Sequence, residues 1–401
     1  MKCKYIDSSL LMISEKGLEQ MQLYPENTLL LVTRSGILRH TIPVAILKKP
    51  ATINQDLKAI MLYTPNLEEY IYICIKGMES RLILEYTKAG ATVENINFDA
   101  FQKILLPIPP ENQIQRIIDA TNDTDEVIGK LKIDQENLID IIDKTKSKIL
   151  DLAIRGKLVP QKPDDEPASV LLERIRAEKE ELIRQGKIKR DKKESVIFKG
   201  EDNSYYEKIG NETRCIDDEL PFEIPSNWTW CRLQSICEPI TDGTHQTPVY
   251  SDSGYIFLSA KNVTTGSIDW DNVMFIPESL HKELYSRIAP QRGDILLAKN
   301  GTIGVAAIVD RDCEFDIYVT LAVLRTINAL VSPQYLLKAI GSETVQSFFK
   351  GALIGIGVPN LHLVHIRQAL IPIPPLAEQT RLAAEMDTLF DILNDIEKSL
   401  K

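Results

Sequence analysis

Three short polar clusters hold the side chains best suited to chemistry: Thr241, Asp242, Thr244, His245, Gln246 and Thr247 in "TDGTHQT", Lys261 and Asn262 in "AKNV", and Lys299, Asn300, Gly301 and Thr302 in "AKNGT". Such side chains carry the fixed donor and acceptor patterns that read base edges, and Gly301 would let backbone approach a phosphate closely. Arg34, Ser35, Arg39 and His40 form a comparable cluster earlier in the chain. Turn or capping duty is the competing reading for every one of these residues. His40 and His245 have no carboxylate or second histidine at ligand spacing nearby, so no metal site is expected, and no cofactor. Neither a G-x-G-x-x-G nor a P-loop is present, and the Asn/Asp-Pro-Pro-aromatic motif of adenine methyltransferases is missing too. A nuclease-like grouping (Pro163-Asp164, then Asp191-Lys192-Lys193) falls in a polar linker. Recognition is therefore expected without catalysis in this chain.

The elements that must position these residues are duplicated. "LLPIPPENQIQR" at Leu105 to Arg116 returns as "LIPIPPLAEQTR" at Leu370 to Arg381, an offset of 265 residues. The same offset matches Pro25 with Pro290, Leu31 with Leu296, Gly36 with Gly301, Tyr70 with Tyr335, Gly90 with Gly355, Val93 with Val358 and Asn95 with Asn360. A repeat of this length means one supersecondary unit used twice. Each copy reads as mostly β, with a tight hairpin turn expected at Asn300-Gly301. Short helices follow, and an extended segment is stopped by the prolines.

From Glu111 to about Ile154 no proline intervenes and Gly129 is the sole glycine. A helix of about 65 Å is possible there. Its apolar positions, Ile114, Ile117, Val127, Leu131, Leu138, Ile142 and Ile149 among them, call for a partner helix, most simply an antiparallel one starting at Leu376. Between the copies, "RGKLVPQKPDDEP" reads as a turn-rich break, and "ASVLLERIRAEKEELIRQGKIKRDKKES" as a solvated charged helix with a basic tail (Lys187, Lys189, Arg190, Lys192, Lys193) suited to phosphate contact. Net charge is -10, yet residues 144–199 carry 16 Lys+Arg against 10 Asp+Glu, so the rest totals -16. Six scattered cysteines suggest reduced thiols, no run reaches the roughly 18 apolar residues of a membrane span, and no signal-peptide core is visible, so a cytosolic protein is expected.

Taken in order, "LPFEIPSNWTWCRL", "TDGTHQTPVY", "GDILLAKNGTIG", "VPNLHLVHIRQALIPIPPLAEQTR", the echo "TVENINFDAFQKILLPIPPENQIQR" and the central "ILDLAIRGKLVPQKPDDEPASVLLERI" resemble the specificity subunit of type I restriction-modification systems. The resemblance implies an α+β fold of two similar target-recognition domains, mostly β with short helices, joined by long antiparallel coiled-coil helices. Each domain would read half of a split site in double-stranded DNA. The helices would dock methyltransferase subunits, two in the family, and translocating endonuclease subunits would complete the complex. Expected boundaries are a partial first recognition domain at 1–110, a spacer helix at 111–158, a linker and charged helix at 159–215, a second recognition domain at 216–375 and a short second spacer helix at 376–401. By the offset, the first copy lacks the counterpart of about Leu220 to Thr265. The competing expectation is an assembly or decoy protein that docks the methyltransferase but reads half a site or none.

Overall fold

The computed structural model describes residues 3–64, 67–88, 93–190, 194–264, 266–327, 330–353 and 359–400. Gly90, Gly355 and Val358 of the repeat, and Asp191, Lys192 and Lys193 of the basic tail, lie outside the described residues. The chain divides into two compact units, Met1–Glu136 and Asn137–Lys401.

In the first unit, strands Leu29–Val32, Val44–Leu47 and Leu57–Ile60 pair antiparallel around the central Leu29–Val32, and Tyr5–Ile6 adds in parallel to Val44–Leu47. Leu29, Leu31 and Ile46 are fully buried. They share a core with Tyr70, Ile71 and Ile75 of helix Glu68–Gly77, Leu82 of helix Glu79–Tyr86, and Ile114 and Ile118 at the start of the long helix.

Two of the second unit's sheets carry the polar clusters. One runs Thr241–Asp242, Leu321–Leu324, Ile295–Ala298, Ala306–Ile308; the other runs Met274–Ile276, Tyr255–Leu258, Phe315–Ile317. Strands Phe315–Ile317 and Leu321–Leu324 follow each other closely along the chain. Tyr318 to Thr320 separate them, and they enter different sheets. The expected tight turn at Asn300-Gly301 is a longer loop over 299–305, because Leu297 pairs with Ala306 and both Gly301 and Gly304 take positive φ. Tertiary bonds draw this loop out: the Lys299 carbonyl accepts from the Leu361 amide at 3.0 Å.

Proline does not stop the second junction where expected. Strand Leu370–Ile373 runs through Pro372, which faces Trp230 of strand Thr229–Arg232, and ends only before Pro374. An edge position tolerates the missing N–H. The Tyr335 hydroxyl donates to the Pro372 carbonyl at 2.7 Å, as the Tyr70 hydroxyl donates to that of Pro107 at 2.6 Å, the same contact at the same offset.

The long helix spans Glu111–Ile154, as its sequence required. The later helix Leu376–Leu400 runs antiparallel to its second half: Lys146 Nζ lies 3.1 Å from Glu397, while Glu378, at the other end, accepts from Gln161 just past the long helix. Of the seven apolar positions assigned to helix pairing, Ile114, Ile142 and Ile149 are buried. Ile117, Val127, Leu131 and Leu138 are exposed.

The segment expected to be a solvated linker is built into the second unit. Helix Ala168–Arg184 buries Ala168, Leu171 and Ile175 completely, a spacing that puts all three on one face. A three-stranded meander, Ser195–Lys199, Tyr205–Ile209 and Glu212–Cys215, follows. It is fastened to strand Thr229–Arg232 by Glu207, which accepts from Arg232, Arg214 and Ser195.

Candidate nucleic-acid interface

The three polar clusters of the second unit converge on the loop Tyr318 to Thr320, which sequence reading passed over. Thr244 bridges to Tyr318 and the Val319 amide donates to the Thr244 carbonyl. The Ala260 amide donates to the Thr320 hydroxyl at 3.0 Å, and the Lys299 amide to the Thr320 carbonyl at 2.8 Å. Gly243 is required by this crowding: a Cβ there would stand 2.0 Å from the Ile317 carbonyl oxygen.

Burial then sorts the candidates. Lys299 and Asp242 are buried and paired with each other, so neither charge is presented to solvent. A pair in low dielectric needs both members, because removing one strands the other. Asn262 is buried as well: its side-chain oxygen accepts from the Ser259 amide at 2.9 Å and its nitrogen donates to the Asn272 carbonyl at 3.1 Å. Asn262 thus caps the short helix Ala260–Val263, while Asp242 and Lys299 form an internal ion pair. His245, Gln246, Thr247, Lys261, Gly301 and Thr302 are exposed, with Thr241, Thr244 and Asn300 half-buried. His245 Nε2 lies 3.4 Å from the Asp242 carboxylate, a neighbour that the spacing argument overlooked. Arg287 also went unnoticed; it donates to the carbonyls of Asp242 and Gly243 and fixes the first cluster from behind.

In the first unit the matching loop carries the short helix Gly36–Arg39, capped by the Ser35 hydroxyl. Arg34 and His40 are exposed; Arg39 is exposed but ion-paired with Glu94. That hydrogen bond holds the Glu94 carboxyl below its usual range. In both units the loop leans on the segment that precedes the junction: Ile96 donates to the Thr33 carbonyl, as Leu361 does to that of Lys299.

The junction residues Glu378, Gln379 and Arg381 are internal ties. Glu378 is fully buried and accepts from the Trp228 indole at 3.0 Å. Burial raises its carboxyl, against the pull of the Trp228 and Gln161 hydrogen bonds. Gln379 bonds the Ser332 amide and the Pro374 carbonyl, and Arg381 pairs with Asp165.

Comparison with known proteins agrees with this duplicated architecture. A family profile described as "Type I restriction modification DNA specificity domain" matches residues 5–136 and 225–401. The type I restriction enzyme EcoAI specificity subunit of Escherichia coli is 30% identical over 269 residues, covering 65% of this chain and 42% of that protein. The EcoEI specificity subunit of the same species is 26% identical over 272 residues, with the same 65% and 42% coverage. The chain thus spans 42% of the length of each of these relatives. A solved chain, from work on complex assembly and conformational transition of the type I R-M system, superposes with a TM-score of 0.54 at 13% identity, covering 94% of this chain and 78% of its own. That likeness supports the fold. Matched over both copies of its internal repeat, the chain belongs to the family of type I restriction-modification DNA specificity domains.

Proposed function

We propose that this chain is the DNA sequence-recognition subunit of a type I restriction-modification complex, directing methylation and cleavage by partner subunits through a bipartite site in double-stranded DNA. It contributes recognition and leaves catalysis to methyltransferase subunits, two per complex, and to translocating endonuclease subunits, in the cytosol. The observation that carries this reading is the pair of repeated α+β units, each holding polar loop residues against the segment before its junction helix. In the second unit the readers would be His245, Gln246 and Thr247, with Lys261 and Thr302 beside them. Arg34 and His40 would serve in the first. Exposed side chains on tertiary-braced loops suit base contacts, since a reader must be free in solution yet fixed in direction. Among the described residues no helix is long and apolar enough to cross a membrane.

Co-expression with the cognate methyltransferase subunit, followed by single-base mapping of adenine methylation across a host genome, tests the proposal. A two-part motif with a fixed gap is expected. A half-motif or its palindrome would limit reading to one unit, and a stable complex without methylation would overturn the recognition role.

A further inference from the structure

Helix Glu278–Arg287 contributes no residue to the polar clusters of the second unit, yet it touches what supports them. Its buried residue is His281, with an acid at each ring nitrogen. Nδ1 lies 2.8 Å from Asp316 Oδ2, and Nε2 lies 3.5 Å from Glu314 Oε2. The Tyr255 ring stacks on the imidazole with 3.6 Å between centroids and 7° between planes, and the Tyr285 ring tilts against it at 4.9 Å. Asp316 is buried too, and its other oxygen has no hydrogen-bond partner among the described residues. A buried carboxyl is costly unless it is bonded, so the bond to His281 fastens the helix to this strand.

Tyr255 and Asp316 belong to neighbouring parallel strands, Tyr255–Leu258 and Phe315–Ile317. Parallel strands end on the same side, and both of these end at polar loops. Leu258 leads into Ser259 and the cluster of Lys261 and Asn262, while Ile317 leads into Tyr318 to Thr320. The Tyr318 amide donates to the Leu258 carbonyl at 2.9 Å and ties the two strand ends together. About 9 Å further along the helix axis stands Arg287. Its Nη2 donates to the Asp242 carbonyl at 3.0 Å and to the Gly243 carbonyl at 3.2 Å, immediately before Thr244 to Thr247. The remaining cluster is reached through Thr320, whose carbonyl accepts from the Lys299 amide. One helix thus grips two strands by its middle and a polar loop by its end.

We propose that helix Glu278–Arg287 is the mount that aims the recognition loops of the second unit, with Arg287 and His281 as positioning residues that set base choice at one half-site without touching a base. The mount rests on the recognition role proposed for the chain. Side chains that read bases work only when the elements beneath them fix their direction, and a loop held by a few main-chain bonds takes its direction from those bonds. Arg287 is exposed, so a phosphate contact is the competing role for it. The two roles part in their consequences: a phosphate contact supports every DNA sequence alike, whereas a displaced loop misreads particular bases. The geometry favours the mount, because a single nitrogen of Arg287 holds two consecutive carbonyls of the loop, and Gly243 beside them is already pressed against the Ile317 carbonyl.

The test uses the full chain, free and co-expressed with its cognate methyltransferase subunit. In the free chain, Arg287→Ala should speed amide exchange at Gly243 and Thr244 at least about tenfold, while exchange in strand Ile295–Ala298 stays as in the parent and shows that the core is intact. In methylation mapping, the same variant should relax base preference in one half of the motif by about tenfold and keep the other half and the gap. Arg287→Lys still donates to both carbonyls and should restore both properties. His281→Leu should relax the same half, and His281→Asn, which offers an amide donor to Asp316, should restore it. An unchanged motif in Arg287→Ala overturns the mount, as does a relaxed motif that Arg287→Lys leaves relaxed. Equal weakening on all DNA sequences overturns it too and makes Arg287 a phosphate contact. A parent chain that directs no methylation overturns the recognition role and the mount together, an outcome read from the parent and so distinct from those read from the Arg287 variants.

Discussion

Lys299 is expected to act on folding before it acts on any ligand. Lys299→Ala leaves Asp242 buried without its partner and should destabilise the second unit by about 3–5 kcal/mol, seen as a lower melting temperature. His245→Ala with Gln246→Ala touches exposed side chains only. Melting should then stay within about 0.5 kcal/mol of the parent, while cognate DNA binding weakens by about 1–3 kcal/mol per lost base contact. Equal effects of the two variants on melting would refute this division. Glu207 makes a further case. Burial pushes its carboxyl up, but hydrogen bonds from Arg232, Ser195 and Arg214 outweigh that and hold it at about 2, against an ordinary 4.5. A depressed folded value means that the stabilisation is complete above the unfolded value and is lost as pH falls toward 2. Acid titration should therefore show a stability loss below about pH 4.5 that is absent in Glu207→Gln, itself destabilised at neutral pH. The polar residue types were legible in sequence; which of them turn inward was not, since Asp242 and Lys299 meet across 57 residues.

Gly156 shows how a single position sets an element's end. It closes the long helix with φ +66°, and a Cβ would lie 2.4 Å from Pro225 Cγ. Gly156→Ala should cost about 1–2 kcal/mol for the left-handed backbone, with the clash in addition, measurable by thermal unfolding. On the same helix, Val127 and Leu131 are exposed apolar residues. Replacing both with glutamine should leave melting within about 0.5 kcal/mol yet weaken assembly with the methyltransferase subunit in co-purification, if this face docks it. Undiminished co-purification would place the docking surface elsewhere. The helix bounds were readable because forty-four residues without proline leave few alternatives. The meander after Ser195 was missed because its strands are short and charged, and Glu207 is buried only by virtue of Arg232 from another strand.

Across the whole molecule, the proposed pair of readers on one chain predicts separable halves of a target. Exchanging the exposed residues 245–247 for different polar side chains should change one half of the methylated motif and leave the other half and the gap intact. Alteration of both halves would contradict independent reading. The sequence by itself determined the duplication, the α+β character of each copy, the long helix and its antiparallel partner, because these follow from local periodicity and a constant offset. It could not determine which copies of a repeated position are covered. Leu105 and Leu370 occupy identical local patterns, yet only the latter lies beside a paired strand. Tertiary structure decided that, and decided which polar loops are free, because burial depends on what a distant part of the chain lays against a residue, and that information is absent from the residue's own neighbourhood.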